Sequence, residues 1–576
     1  MISAKPETIE VQVLVGSQVS EALTNSYFLS AWDSLYDQCP WGSVFQSKGF
    51  AATWYKIYDT QYQPIIVKAE QEGRLTGLLT LAKATTSTVI HVAGSRDAHY
   101  QVWLAVEETG EVFIKCALTA LLDAFPGHDV NFYNTPPLTP LRWATKDPAW
   151  QRHCTVRAFQ RPLMNFKDVN ILKVINTKRF RKKLNQLSKV GLVTFEHITD
   201  LKEFTSVLDE LADQFDFRKG AKYNWTEFRN DPNKKTFLQE LFKVGLLHVT
   251  VLKVNGEIVA SITDTLGKNA WVHGTEIATH SCAYAKYSPG ILNFMLLGQL
   301  LIKKGFSVYD LTPGGDLYKA RLANDYDYVH ELCVSNAYKT YAKKNIVEPA
   351  RKVIRIGMRY TKFTPKALKV NYRRFTLRIR KTLYALPLWA PTALYHTIVP
   401  LKREVFHVAP QSTGLSHNIK RNSLGDLLDY DECAGEMTKW DFLSDAMQRI
   451  EAGQQPYTLS QNGQLQFCCW VSELEPGMSK NIPLLPHNSI IIQRLYYHLV
   501  SVNKLSEFLG NVAERVCKEY KVRDVYIVSN RTLLNQQINK QKYCSTPFTS
   551  DIPILYFMQS SFESTSPLQL ASSYIL

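Results

Sequence analysis

Tyr287–Lys319 reads YSPGILNFMLLGQLLIKKGFSVYDLTPGGDLYK. Ser288-Pro289-Gly290 marks a turn into an apolar helix, with Ser at the N-cap and Pro at the first helical position. The run then passes into a short strand over 307–311, a Gly-Gly loop, and a polar, cationic stretch from Asp316 to Lys319. A helix start set beside a strand end gathers free N–H groups and the positive end of a helix dipole, a geometry that holds anions.

Working upstream, strands are expected at 247–254 and 258–266, joined through Asn255-Gly256, a strong type I′ hairpin signal. A third strand is expected over 270–277. Before them the pattern gives a basic helix at 177–189 and amphipathic helices at 201–217 and 231–244. Residues 1–165 use the same grammar. Helical sequence runs from 32 to 59 with a break at 39–42. Strands are expected at 64–69 and 75–81 around Glu72-Gly73, with a helix at 112–125 and a strand at 129–133. Downstream, 405–576 returns to strands (464–471, 489–498, 525–529) and helices (504–520, 531–540).

The chain has 576 residues, 45% hydrophobic and 21% charged. That is enough for several domains and a sizeable core. The net charge of +15 is local. Residues 336–404 hold 17 Lys/Arg against 2 Asp/Glu, a surplus equal to that of the whole chain. The basic pI is therefore no sign of a generally nucleic-acid-like surface. The ten cysteines form neither a CxxC pair nor a zinc spacing, and are expected to be reduced, mostly buried thiols. No metal site is expected. The start of the chain lacks the basic and apolar regions of a secretory signal.

The residues of 247–319 resemble the acyltransferase domain of the FemAB-like and cellulose-biosynthesis (CelD) group of the GNAT superfamily. The features are the Asn255-Gly256 hairpin with Ala260, the Tyr-Ser-Pro-Gly turn at 287–290, the strand ending in Tyr309-Asp310, and Tyr318-Lys319. Upstream, Phe45-Gln46-Ser47 followed by Trp54, then Asp97 and Tyr100, then Arg179 and Arg181, are similar to motifs of the same group in the same order. The resemblance covers roughly 27–335. Residues 405–576 more faintly resemble a further GNAT domain.

The resemblance implies an α/β fold of tandem GNAT-like lobes with mixed, mostly antiparallel sheets. The first lobe (1–165) would face the acceptor and the second (166–335) would carry acyl transfer. A basic connector (336–404) and a degenerate GNAT-like α/β domain (405–576) would follow. It implies acyl-CoA, first of all acetyl-CoA, as donor. The acceptor would be an amino group of a sugar, polysaccharide or cell-envelope precursor. An aminoacyl-tRNA-dependent Fem-like ligase and a non-catalytic assembly factor for polysaccharide synthesis are the alternatives. Ordinary GNAT enzymes cradle pyrophosphate in an R/Q-x-x-G-x-G/A loop. Here Ser288 replaces the middle glycine and Ala285 the Arg/Gln.

Acyl transfer needs a proton acceptor, a polarised thioester oxygen and a proton donor for the leaving thiolate. Candidate bases are Glu276, His273 and Asp310. Strand periodicity places His273 and Glu276, three apart, on opposite faces, and Glu276 is preferred between them. Asp310 could instead cap the helix starting near Asp316. Tyr318 is the candidate acid, and Lys319 would neutralise a phosphate or the oxyanion. Tyr287, Ser288, Pro289, Gly290 and Arg181 would contact the donor. Asp97, Tyr100 and Trp54 would touch the acceptor.

In the basic segment, Arg351, Lys352, Arg355, Arg359, Arg373, Arg374, Arg378, Arg380 and Lys381 alternate with apolar residues. The pattern suits a helix on an anionic membrane surface over 339–403, with tRNA binding the competing use of the charge. Residues 382–401 are uncharged, but Pro387, Pro391 and Pro400 argue against a simple spanning helix. The reading is a bacterial cytoplasmic protein, peripheral on the inner membrane if the basic segment docks there.

Overall fold

The computed structural model describes residues 9–347, 349–350, 369–381, 404–408, 410, 418–432, 437–473, 490–522, 524–529 and 545–546. The chain forms two compact units, one of residues 1–215 and 227–365, the other of 216–226 and 366–576. The expected interfacial segment 382–401 lies outside the described residues, as do all of 351–368 and the expected helix at 531–540.

The first unit is built on one 13-stranded sheet. Its strands are β1 (Val11–Val15), β2 (Tyr62–Gln71), β3 (Arg74–Ala84), β4 (Val89–Val92), β5 (Leu104–Ala105), β6 (Asp129–Thr135), β7 (Cys154–Asn165), β8 (Val193–Ile198), β9 (Leu247–Val254), β10 (Glu257–Leu266), β11 (Trp271–His280), β12 (Val308–Asp310) and β13 (Asp325–Val334). Their order is β1-β2-β3-β4-β6-β13-β7-β12-β11-β10-β9-β8, with β5 on β3. All neighbours are antiparallel except β4 with β6 and β11 with β12. The sheet runs unbroken through residue 165. β7 pairs with β12, while β13 pairs with both β7 and β6, so each lobe completes the other's sheet.

The main helices of this unit are α1 (Ser26–Gln38), α2 (Lys48–Ile57), α3 (Gly110–Ala124), α4 (Lys178–Ser188), α5 (Leu201–Tyr223, which belongs to it up to Phe215), α6 (Lys234–Lys243), α7 (Pro289–Lys303) and α8 (Leu317–Leu322). Local chemistry sets their starts. Asn25 accepts from the N–H groups of Tyr27 and Phe28, Ser47 caps α2, and Thr177 caps α4. The Asn255-Gly256 turn takes positive φ at both residues (51° and 85°), as a type I′ hairpin requires.

β10 is buried along nearly its whole length because both sheet faces are covered. α7 packs over β9, β10 and β11 with Leu292, Leu297 and Leu301 against Leu252, Ala260, Ile262 and Val272. On the other face, α5 and α6 add Leu211, Phe237 and Leu241 to a core shared with the first lobe.

The second unit carries a seven-stranded sheet, β15 (Lys420–Arg421)-β16 (Gln455–Gln461)-β17 (Gln464–Glu473)-β18 (Ile490–Tyr497)-β19 (Val525–Ser529)-β14 (Glu404–His407)-β20 (Ser545–Thr546). Its helices include α9 (369–381), α10 (Lys439–Glu451) and α11 (Leu505–Tyr520). β18 and β19 pair in parallel with α11 between them in sequence, the arrangement seen twice in the first unit.

Candidate active site

The site lies where β11 and β12 part. They pair in parallel over three residues only, Trp271–Val308, Val272–Tyr309 and His273–Asp310. β12 then ends and β11 runs on to His280. Among the described residues no backbone hydrogen bond joins 274–280 to 311–316, so the sheet has a gap there. Gly274 stands at its apex. A Cβ at that residue would come within 2.5 Å of the Tyr309 hydroxyl and 3.1 Å of the Asp310 carbonyl oxygen.

α7 begins at the far end of β11. Ser288 precedes it at φ 58°, ψ 49°, and its side chain makes no capping hydrogen bond. The expected Ser cap is therefore absent, because a capping serine needs an extended backbone and Ser288 is left-handed. A glycine adopts that conformation freely. Ser288 thus holds a glycine-like bend, although the residue departs from the usual loop. Pro289 is the first helical residue as expected. Gly290 is the second residue of α7, so its N–H is one of the first-turn donors that the helix itself does not pair, and a Cβ there would sit 3.0 Å from the His280 ring. The first turn of α7 holds no acidic residue. α4 packs against the 282–287 turn, and Lys183 Nζ donates to the Lys286 carbonyl (2.6 Å). The Lys286 ammonium lies over the Tyr287 ring. Arg181, on the same helix as Lys183, is exposed. These groups suit an anion at the start of α7.

Below the gap, Asp310 is fully buried. It accepts from His273 Nδ1 (2.9 Å), from Arg161 (3.3 Å) and from the Thr312 N–H (2.7 Å). Burial alone would raise its pKa. The His273 hydrogen bond and the Arg161 charge outweigh burial and hold it at about 2. Asp310 is thus neither a proton acceptor at neutral pH nor a cap on the helix after Asp316. It orients His273. A carboxylate can only accept, so Nδ1 carries a proton, and in the neutral ring Nε2 has the lone pair. Nε2 makes no hydrogen bond among the described residues and lies against Gly267, where a Cβ would approach to 2.6 Å. Arg161 also grips Asp327 through two nitrogens (2.8 and 2.5 Å) and packs between the Tyr100 and Trp271 rings.

Glu276 joins a second buried cluster. Its carboxylate lies 2.9 Å from Lys234 Nζ, which also meets Asp97 (2.6 Å) and Glu227 (3.5 Å). Burial opposes the Lys234 charge, but the three carboxylates outweigh it and hold the ammonium well above the lysine range. Trp54 Nε1 donates to Asp97. His99 next to this cluster is pushed down to about 4, by burial first and then by Lys234.

The expectation that His273 and Glu276 face opposite ways fails. Thr265 is the register partner of His273, and its hydroxyl lies 3.5 Å from Glu276. A bulge sets Asp264 against three residues of β11, 274–276, and turns Glu276 toward the His273 face.

Other expected residues have different surroundings. Lys319 is buried and donates to Thr312 O (3.1 Å), Thr312 Oγ1 (2.8 Å) and Pro313 O (3.4 Å), so it fastens the 312–314 loop. Tyr318 is half-buried with its ring on Phe294 of α7. Trp54 and Tyr100 are almost wholly buried and connect the lobes through Asp97 and Arg161, without an open face of their own. On the α7 side, Tyr309 donates to Asp264 (2.8 Å), whose carboxyl burial pushes well above the usual range. Sequence reading did not single out Arg161, Lys234, Glu227, Asp327 or Asp264. Of these, Asp264 alone stood out in the chain, as a carboxylate within the otherwise uncharged strand pattern 258–266.

Residues 176–320 match the family model described as an acetyltransferase (GNAT) domain. The chain carries a GNAT acyltransferase domain. The matched segment runs from α4 into α8 and includes the gap, the α7 start, His273, Asp310, Lys234, Glu227 and Glu276, while Arg161, Asp327 and Asp97 lie outside it. GNAT domains in general take acyl-CoA as co-substrate, and the first-turn N–H groups of α7 with their acid-free surroundings fit its phosphates. No curated protein matches the chain. Among solved structures, the chain is similar to FemX (11% identity, 54% of this chain and 97% of that one, TM-score 0.39). It is also similar to L-PGS from Bacillus licheniformis (12%, 52% and 96%, 0.34). A tandem GNAT protein from the clavulanic acid biosynthesis pathway gives 12%, 56% and 98%, and 0.34. At such values the likenesses bear on neither substrate nor mechanism. Among the described residues no helix is long and apolar enough to cross a membrane.

Proposed function

We propose that the second lobe transfers an acyl group, acetyl in the first instance, from acyl-CoA to an amino group of a sugar, polysaccharide or cell-envelope precursor. One observation carries the donor side of this reading: the β11–β12 gap opens beside a helix start that has no acidic residue in its first turn. The donor phosphates would lie at Ser288–Gly290, with Lys183 and Lys286 close by. The acyl arm would enter between 274–280 and 311–316.

In this reading His273 takes the proton from the attacking amine at Nε2, and Asp310 holds the ring in the tautomer that allows it. Asp97, Glu227 and Glu276 together exceed the single charge of Lys234, so the cluster favours a cationic amine nearby. Tyr318 stands beside the start of α7 as the proton donor for the leaving thiolate. The transfer is direct: the amine nitrogen bonds to the acyl carbon, the C–S bond breaks, and CoA leaves as the thiol.

The test is a thermal-shift titration with acetyl-CoA, followed by thiol release with an amino-sugar acceptor. Stabilisation by acetyl-CoA and acceptor-dependent thiol release are expected. No shift with acyl-CoA, together with transfer from aminoacyl-tRNA, would replace this reading with the ligase. Neither activity would favour the assembly role.

A further inference from the structure

The helix 369–381, KVNYRRFTLRIRK, is the described part of the basic stretch that belongs to the second unit. It has six Lys/Arg and no acidic residue. Sequence reading expects its cations to face a partner surface. The structure places them otherwise. Arg374 Nε (2.6 Å) and Arg378 (2.9 and 2.7 Å) donate to Asp441 at the start of α10. Arg374 also stacks over Trp440. Lys381 donates to the carbonyls of Glu432 (2.9 Å) and Met437 (2.6 Å). Arg374, Leu377, Arg378 and Lys381 recur at helical spacing, so one cationic stripe docks the helix onto its own unit. These bonds hold Asp441 as a carboxylate below its usual range despite burial.

The opposite stripe is apolar. Tyr372, Phe375 and Ile379, at i, i+3 and i+7, are 69%, 61% and 42% exposed. Lys369, Arg373 and Arg380 border them and are exposed too. A helix normally buries such a stripe and turns its cations to water, and here the order is reversed. Apolar side chains on an exposed, cation-bordered stripe match the plane of a lipid interface: rings and the isoleucine enter the headgroup–acyl boundary, and flanking cations meet anionic headgroups.

We propose that the Tyr372–Phe375–Ile379 face of helix 369–381 docks on an anionic lipid surface. The charge of the stretch selects the occupant. Residues 336–404 carry 17 Lys/Arg against 2 Asp/Glu, so a basic protein surface is disfavoured and an anionic one favoured. Phosphate-backbone binding depends on neutralising many phosphates with cations, but at least three of the six cations here are turned onto the protein's own acceptors. The apolar stripe would face a nucleic acid without use, whereas lipid buries it.

The test is flotation of the full chain with vesicles of pure phosphatidylcholine and with vesicles containing phosphatidylglycerol. Flotation with the anionic vesicles only is expected. Y372S/F375S/I379S should lower partitioning at least tenfold at an unchanged melting temperature. K369Q/R373Q should lower it roughly fivefold per charge removed, from ~1 kcal/mol each, and high salt should mimic that loss. Equal flotation with neutral vesicles, or none with either, overturns the proposal. So does a gel shift with tRNA that the triple Ser variant leaves intact, or concentration-dependent self-association that the same variant abolishes. Acyl transfer to a soluble amine is a separate readout and should be unchanged in these variants.

Discussion

The two lobes of the first unit begin the same way and end differently. In the first, β4 and β6 pair in parallel over Val89–Asp129, Ile90–Val130 and His91–Asn131. In the second, β11 and β12 do so over Trp271–Val308, Val272–Tyr309 and His273–Asp310. Each register is three residues long and each stops at a histidine.

Beyond that point the first lobe fills its own gap. Gln101 is wholly buried. Its backbone N–H donates to Tyr133 O, its side chain accepts from Tyr133 N, and its amide donates to Ser95 O and Ala98 O. Asn134 donates to His99 O. The helix that follows, α3, starts after Glu107 and Glu108 and has Glu111 in its first turn. A Cβ on Gly110 would collide with Trp41 at 2.7 Å, and Trp103 Nε1 donates to Gly110 O. An anion would meet negative charge and two indoles there. Among the described residues the second lobe has no such zip and no acid in the first turn of α7. One scaffold has thus been closed by side chains in one copy and left open in the other, and charge at the helix start follows the same division.

That contrast can be broken at several points. The largest effect is expected from His273→Asn, which removes Nε2 and should lower kcat by about 10²–10⁴, with KM for acyl-CoA little changed. Asp310→Asn should lower kcat in the same direction. It should also cost about 3–5 kcal/mol, because Arg161 loses a buried partner; denaturant unfolding reads this. A kcat near wild type in H273N would leave Glu276 as the base. Next, Ser288→Asp gives the second lobe a carboxylate like that of Glu111. It should favour the helix by about 0.3–1 kcal/mol yet weaken acyl-CoA binding at least tenfold by titration calorimetry. Glu111→Gln in the first lobe should leave binding unchanged.

Acid provides a third comparison. The Asp310 pKa is depressed to about 2 in the folded protein against about 3.9 unfolded. Its contribution is present above pH ~4 and is lost as pH falls through ~2. Wild type should therefore lose about 2–3 kcal/mol more than D310N between pH ~5 and ~1, most of it between ~4 and ~2. Asn131, its counterpart in the first lobe, does not titrate. The smallest effect is expected from Gln101→Ala. It leaves the Tyr133 N–H unpaired and should cost about 1–3 kcal/mol, while acyl-CoA affinity stays within about twofold.

Much of the frame was legible because short-range chemistry decides it. Thr177 caps α4, Asn255-Gly256 turns a hairpin, and Pro289 opens α7, each within a few residues of chain. The basic stretch and the third strand–helix–strand copy were visible in the same way. The site was legible only in part. His273, Glu276 and Asp310 could be named as candidates. Their roles depend on Arg161, 149 residues from Asp310, and on Lys234, 137 residues from Asp97. The bulge that brings His273 and Glu276 to one face is a mismatch between two strands, and a single strand's periodicity cannot report it.

The sequence by itself determined where helices and hairpins begin, which helix start is free of acid, and where the cations concentrate. Those are properties of neighbouring residues, set by backbone preference and local charge. The tertiary structure decided the rest. It exchanged β7 and β13 between lobes, zipped one gap and left the other open. It turned Asp310 from a candidate base into the group that orients one, and turned the cations of helix 369–381 inward. Each outcome requires side chains from distant segments to meet in a low-dielectric interior, where a partner's position fixes whether a charge is held, shared or spent.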